Sequence, residues 1–456
     1  MSAAIPETAP PAVRGRANAQ KKQPGYFIWW LCLALFFEYA RPANFVPGIG
    51  ALPLNSLIPM SLLVVCLFSG SLRPFGDIFR DRSARWITAY IVFIFISVFT
   101  SVVNYTSWLV FQLALGYFFL FIIFARLLSN EADIMKVIGT LVVAHIFLLL
   151  MNFNVITDPS QRQYIVGGTF LGDGNDYSMS LCLLLPLAIE FALRAKSLIP
   201  RCISWTMIGL MLLAMVASQS RGAMLGLGAV AVYLWWKSKN KIIGIVIAGV
   251  VGIGLMIYAP GVFFDRMGSI AQYETEGSAQ ARIHAWKAGV RMIVDKPLTG
   301  VGAGMFAPSY GTKYKPKGEW VHWANAHSIY FLVIGELGVP GIVTLVAILF
   351  GNMISNMRLR QRFLEYHGEK ITPEQQKTAR LLLMGTTAVL GFAVAGAFLS
   401  AAYYPHLFVL TGTMVALRSM VSKTLPPDPT EAGRGRGRRR RVSGPGTSAA
   451  PRAAPV

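Results

Sequence analysis

The chain has 456 residues, 54% hydrophobic and 14% charged, with 42 Lys and Arg against 21 Asp and Glu. Its apolar residues recur in runs of about 16 to 22, each near the length of a bilayer span, which excludes a soluble enzyme. Such runs satisfy their backbone groups internally, and short strands of alternating polarity are missing, so a barrel is excluded too. The chain reads as an all-α polytopic membrane protein.

Residues 1–25 are proline-rich and read as a disordered cytoplasmic tail. Arg14, Arg16, Lys21 and Lys22 precede an apolar stretch as in a signal peptide, but no small-residue cleavage site follows Phe37 and more spans come next. The first span is therefore read as uncleaved. Transmembrane helices 1–9 occupy 26–258, near 26–40, 52–70, 86–104, 108–128, 134–152, 177–193, 202–218, 221–236 and 241–258. A polar loop over 259–325, with an amphipathic helix, leads to helices 10–12 within 326–420, near 326–356, 378–400 and 403–420. Residues 421–456 are Gly-, Arg- and Pro-rich and read as a disordered basic tail drawn to anionic lipid.

This gives about 12 transmembrane helices, with one long loop between spans 9 and 10. Placing both termini in the cytoplasm satisfies the positive-inside bias: Arg73, Arg80, Arg82 and Arg85 fall inside, and the NYTS turn at Asn104 carries no base outside. The long loop is then periplasmic. The net charge of +21 is explained by orientation, so no nucleic-acid partner is expected. Cys32, Cys66, Cys182 and Cys202 form no C-x-x-C and read as packing residues.

Ionisable groups are scarce inside the spans, with His145 the clearest deep exception. It reads as a hydrogen-bonded packing residue rather than a relay. This scarcity argues against a transporter, which would line its path with charges near the midplane. Polar groups gather instead at the outer face. Arg221 is confined to a short turn, with Ser218 and Ser220 as candidate caps of the next helix. A guanidinium there is either an interfacial anchor or half of an anion site, where its forked donors and the helix dipole both favour phosphate.

In the long loop, Arg282, Trp286 and Gly289 follow at i, i+4 and i+7 and share one helix face, while His284, Lys287 and Arg291 share another. By itself such an amphipathic pattern favours a helix lying on the membrane surface. Glycines at 300, 302 and 304 permit close backbone approach to a ligand, although G-x-G-x-G after no visible strand does not indicate a Rossmann site. His327 opens a span longer than the hydrocarbon core, so its first turns stand above the bilayer, where an imidazole can serve as general base. His322 is a second candidate. Glu336 lies about 13 Å further along an unbroken helix and about half a turn round, so it reads as structural, capping backbone opened by Gly335, Gly338, Pro340 and Gly341.

In order, these pieces are Asn175-Asp176 before an apolar span, the turn Ser220-Arg221-Gly222, Arg282 to Trp286, PLTGVG, and HSIYFLVIGELGVPG. Together they resemble the O-antigen ligase and O-antigen polymerase superfamily of bacterial membrane glycosyltransferases, over about residues 165 to 345. Ser328 departs from the asparagine common in that family, which puts any role for the amide in doubt.

The resemblance implies a multi-pass enzyme of the bacterial inner membrane, with its site on the periplasmic face. It would move a glycan from undecaprenyl pyrophosphate to a hydroxyl of lipid A-core. A repeat-unit polymerase or a protein O-oligosaccharyltransferase would differ only in acceptor. Arg221 and Arg282 would hold the pyrophosphate, with Trp286 and Asn175 beside the glycan, and His327 would activate the acceptor. The reaction would need no nucleotide sugar, cofactor or metal, in keeping with the lack of a D-x-D motif, and attack opposite the leaving group would invert the anomeric centre.

Overall fold

A computed structural model describes residues 25–69, 72–158, 165, 170–268, 277–316 and 323–427. Among them the regular elements are all helical. The chain opens with α1 (Tyr26–Ala40), α2 (Leu54–Phe68), the single turn α3 (Phe75–Ile78), α4 (Arg82–Thr100), α5 (Asn104–Leu127) and α6 (Glu131–Met151). After the short α7 (Asn154–Thr157) come α8 (Gly174–Leu193), α9 (Leu198–Ala217), α10 (Arg221–Lys237) and α11 (Lys241–Tyr258). The polar loop contributes α12 (Gly261–Gly268), α13 (Gly277–Asp295) and α14 (Phe306–Ser309), and the chain ends in α15 (Ile329–His367), α16 (Pro373–Gly396) and α17 (Pro405–Ser422).

A helix lies at each segment read as a span. Eight of them, α4, α5, α6, α8, α9, α11, α15 and α16, are long and apolar enough to cross a membrane, while α1 and α2 are shorter apolar helices. Helix starts are set locally by side chains that accept the first free backbone N–H groups: Asp81 for α4, Asn130 for α6, Asp173 for α8, Ser220 for α10 and Ser328 for α15. Thr372 and Gln375 form a reciprocal capping box on α16, with Pro373 at the first helical position. The expected tenth span starts later than the sequence suggested and runs further, over 39 residues.

The centre is built from α8, α16 and α17, whose residues are buried around most of their circumference. By contrast α11 has no buried residue although it is apolar all round. A helix of that kind is stable at the rim only where lipid, not water, surrounds it. His145 behaves as a hydrogen-bonded packing residue. Its Nδ1 donates to Leu141 O at 2.7 Å, so in the neutral ring Nε2 accepts from Ser180 Oγ at 2.6 Å. A second imidazole that sequence reading missed, His406, reaches the same hydroxyl at 2.7 Å. Cys32, Cys66 and Cys182 are buried, but Cys202 is exposed, which corrects the packing reading for that residue.

One end of the bundle is tied by arginines. Arg73 is buried and donates to the carbonyls of Ala125 (3.0 Å) and Leu128 (3.1 Å), while Arg126 donates to those of Arg73 (2.9 Å), Ser69 (3.2 Å) and Cys66. The two guanidiniums thus satisfy the C-terminal carbonyls of α2 and α5. Arg418 grips Asp81 through two nitrogens, at 2.7 and 2.9 Å, and reaches Asn352 and Asn356. These basic residues carry structure as well as a topological signal.

At the opposite end the loop after α13 docks on a break in α15. Gly338 leaves the helix with φ 65° and ψ −157° ahead of Pro340, freeing the surrounding backbone. Loop backbone takes up the freed groups: Val301 N donates to Gly335 O (2.9 Å), Gly302 N to Glu336 O (3.0 Å), and Val339 N to Pro297 O (2.8 Å). Glycine is required for this approach. At Gly300, with φ 62°, a Cβ would lie 2.3 Å from the Glu336 backbone. At Gly302 it would lie 2.3 Å from Ser101 Oγ. Both the clash and the positive φ penalise a side chain, so Gly300→Ala should destabilise by about 1–3 kcal/mol or more. The thermal midpoint of the detergent-solubilised protein should fall clearly for Gly300→Ala and stay put for Gly249→Ala, where a Cβ meets nothing within 4 Å.

Candidate active site at the loop end of the bundle

The site is organised by a short segment that sequence reading passed over, the connection from Ala397 to Tyr404 between α16 and α17. Successive residues of it engage different elements. Phe398 packs against the start of α10, where a Cβ on Gly222 would meet its Cβ at 2.7 Å. Ser400 Oγ accepts from His327 N at 2.9 Å. Tyr403 OH donates to Glu336 Oε2 at 2.7 Å, and Tyr404 OH to Asp176 Oδ2 at 3.0 Å. Four pieces read separately along the sequence are thereby fixed to one strip of chain.

Arg221 is the first residue of α10 and is half-buried. The turn before it is rigid: Ser218, Gln219 and Ser220 are 2–3% exposed, and Gln219 adopts φ 52°. Ser218 Oγ donates to Met215 O at 2.8 Å, lies 2.6 Å from Ser178 Oγ on α8, and accepts from Ser220 N at 3.3 Å. Ser220 accepts from Ala223 N at 3.4 Å, so it is the cap expected of it. Asn175 lies in the first turn of α8 rather than ahead of it. Its amide N–H and Nδ2 donate to Asp173 Oδ1 at 2.9 and 3.1 Å.

Arg282 and Trp286 sit one turn apart on α13, both half-buried. This helix does not lie alone on a surface, which corrects the preference for a membrane-lying helix. Ala285, Ala288 and Met292 are buried, Gly289 approaches Phe331 O closely, and Trp286 stacks on Phe331 with centroids 5.1 Å apart and planes at 10°. The Arg282/Trp286/Gly289 face is thus the one that packs on the first turns of α15. On the other face Arg291 donates to Tyr314 O. Asp295 closes the end of α13 by accepting from Lys313 Nζ and Tyr314 OH, each at 2.8 Å. The Lys313 hydrogen bond, and then that of Tyr314, hold the Asp295 carboxyl below the usual carboxylate range.

His327 is exposed and stands just ahead of α15 rather than inside it, with φ 46°. Ser328 caps the helix by accepting from Phe331 N at 3.5 Å, the work an asparagine would do there. His322 lies outside the described residues. Glu336 is structural, but its partners differ from those expected. Its Oε1 accepts from Phe306 N at 2.8 Å, and the backbone opened at the kink is satisfied by the loop. The glycines at 300, 302 and 304, all at positive φ, approach the protein's own α15, Ser101 and Val110.

Geometrically, then, α13 with Arg282 and Trp286 meets the chain at His327, and the Arg221 turn meets α8 beside Asn175. The Ala397–Tyr404 connection joins the two groups. Residues 206–346 match the family model described as O-antigen ligase. The chain carries an O-antigen ligase family domain. That match runs from α9 into α15 and includes Arg221, Arg282, Trp286, His327 and Glu336, while Asn175 and the Ala397–Tyr404 connection lie outside it. No curated protein matches the chain. The domain and the apolar helices together make this a multi-helix membrane protein that carries a domain of the O-antigen ligase family.

A groove of about 1270 Å³ between α1, α6, α9 and α16 lies at the other end, beside Glu131, Arg194 and Lys377, and shares no residue with this site. The integrity of the site depends instead on Glu336. Glu336→Ala should strand two buried donors, destabilising by roughly 1–3 kcal/mol for each, whereas Tyr403→Phe leaves a single buried carboxyl oxygen without that donor and should cost roughly 1–3 kcal/mol in all. Thermal denaturation of the two variants in detergent checks the ordering.

Proposed function

We propose that the protein transfers a glycan from undecaprenyl pyrophosphate to a hydroxyl of lipid A-core on the periplasmic face of the bacterial inner membrane. In this reading all twelve apolar helices cross the membrane and both termini are cytoplasmic, as the distribution of Lys and Arg favours. The observation that carries the reading is the shared anchoring of His327 and the Arg221 turn on one connection, with Arg282 on the helix that packs beside His327.

Two guanidiniums on separate, rigid elements suit a diphosphate. Arg221 at the N-terminus of α10 adds the helix dipole to its own charge, and Arg282 approaches from α13. Each offers forked donors to phosphate oxygens, and fixed cations stabilise the charge that grows on the leaving group without reorganising. Trp286 and Asn175 border the glycan. His327, exposed on its own turn, accepts the proton of the acceptor hydroxyl. The hydroxyl oxygen bonds to the anomeric carbon as the carbon–oxygen bond to pyrophosphate breaks. Undecaprenyl pyrophosphate leaves with the electron pair, and the proton rests on the imidazole. Attack from the face opposite the leaving group inverts the anomeric centre. The arginine pair supplies the charge stabilisation for which other glycosyltransferases use a metal, so the reaction is metal-independent in this reading.

Purified protein given lipid-linked glycan and lipid A-core should form ligated product. His327→Ala should lower turnover by about 10²-fold or more, the usual share of a general base. Arg221→Ala and Arg282→Ala should also weaken donor binding. Normal transfer by a properly inserted His327→Ala protein would remove the general-base role. The lipopolysaccharide ladder of a deletion strain tests the acceptor: loss of all capped core supports the ligase. A single capped repeat would point to a polymerase, and an unchanged ladder to protein glycosylation.

A further inference from the structure

We propose that Trp286 and Ser400 are positioning residues for His327, which together grip the single peptide group that carries it. Trp286 Nε1 donates to Ala326 O at 2.9 Å, and His327 N donates to Ser400 Oγ at 2.9 Å. That carbonyl and that N–H are the two ends of one peptide bond. A peptide unit is planar and stiff, so holding both ends fixes its plane. The direction in which the chain leaves toward the imidazole is then set by φ of His327.

That φ is 46°, in the left-handed region, which an L residue with a side chain enters only at a cost of about 1–2 kcal/mol. Such a conformation persists where its surroundings over-determine it. Here they do so from every side. Ala326 and Ile329 are fully buried on either flank, Ser328 is committed to the α15 cap, and His327 alone stands exposed. The two holders are themselves held. Trp286 is stacked on Phe331, and Ser400 sits between the buried Leu399 and Ala401. Their elements are also those that place the cations: α13 carries Arg282, and the Ala397–Tyr404 connection packs on the Arg221 turn. The clamp therefore aims the imidazole relative to the pyrophosphate cradle. This gives Trp286 a task beyond any glycan contact and assigns one to Ser400, which lies outside the matched domain.

The catalytic half of the inference rests on His327 as the base, whereas the clamp itself does not, so the test reads both. Trp286→Phe keeps a ring for the Phe331 stack but deletes the N–H. Ser400→Ala deletes the acceptor, and Ser400→Thr retains a hydroxyl. In the full-length protein, Trp286→Phe and Ser400→Ala should each lower kcat by about tenfold to a hundredfold, the range for a catalytic group displaced by about an ångström. KM for the lipid-linked donor should hold in Ser400→Ala, and Ser400→Thr should recover most of the rate. Mass-spectrometric rates of diethyl pyrocarbonate modification at His327, with His284 as internal reference, should shift in the Phe and Ala variants and return in Ser400→Thr. A shift in reactivity with full turnover would uphold the clamp and overturn His327 as the base. Unchanged His327 reactivity in both variants would overturn the clamp. So would a rise of KM and a lowered thermal midpoint alongside the fall of kcat in Ser400→Ala, which would make that residue mere scaffold.

Discussion

A single carboxylate, Glu336, sits where the loop end of the bundle is joined together. It lies in α15 two residues before the Gly338 break, 2% exposed, and accepts from Phe306 N on one oxygen and Tyr403 OH on the other. One bond holds the loop that follows α13, and the second holds the connection between α16 and α17. A buried acid with two well-made hydrogen bonds is a strong tie, and without either donor it is a liability. The break at Gly338 makes room for this arrangement. It releases the backbone groups with which Val301, Gly302 and Pro297 pair, and the loop lies close enough to do so because three glycines in it lack side chains.

From that joint the site follows. The loop brings α13 against the first turns of α15, so Trp286 stacks on Phe331 and Arg282 comes with it. The connection reaches from Glu336 to His327, the start of α10 and the start of α8. Cations that would repel one another if they met on a flexible loop are instead mounted on separate rigid elements, and an exposed histidine stands at the junction. A helix N-terminus beneath Arg221 adds a further positive potential. The arrangement suits the anionic leaving group of the proposed transfer.

Much of this was legible because the signals are local. Apolar runs of bilayer length located the helices, Ser220 announced the start of α10, and the i, i+4, i+7 spacing put Arg282, Trp286 and Gly289 on one face of a real helix. His145 was read correctly as a packing histidine. Other features left no local trace. Ala401, Ala402 and Tyr403 look like the continuation of a span, and nothing in their own sequence says that they will meet Tyr90 and Glu336. The only signal available was a serine and two tyrosines in a short connection between apolar runs. Arg73 read as a topological charge because its partners, the carbonyls of Ala125 and Leu128, are backbone groups that every residue has. The glycines of the loop read as open to a ligand because a sequence cannot show which backbone approaches them.

The sequence by itself determined that this is an all-helical membrane chain, within a few residues where its apolar helices lie, and which residue types are available for chemistry. Those properties depend on periodicity, capping and composition within a few turns of chain, which the lipid environment reinforces by requiring every backbone group to be paired within its own segment. Only the tertiary structure decided which of the polar residues belong together. Tyr403 and Glu336 are separated by 67 residues and His327 and Ser400 by 73, so their meeting depends on how whole helices pack and where one of them breaks. A hydrogen bond between such distant partners is specified by the shape of the bundle, and no stretch of sequence short enough to read carries that shape.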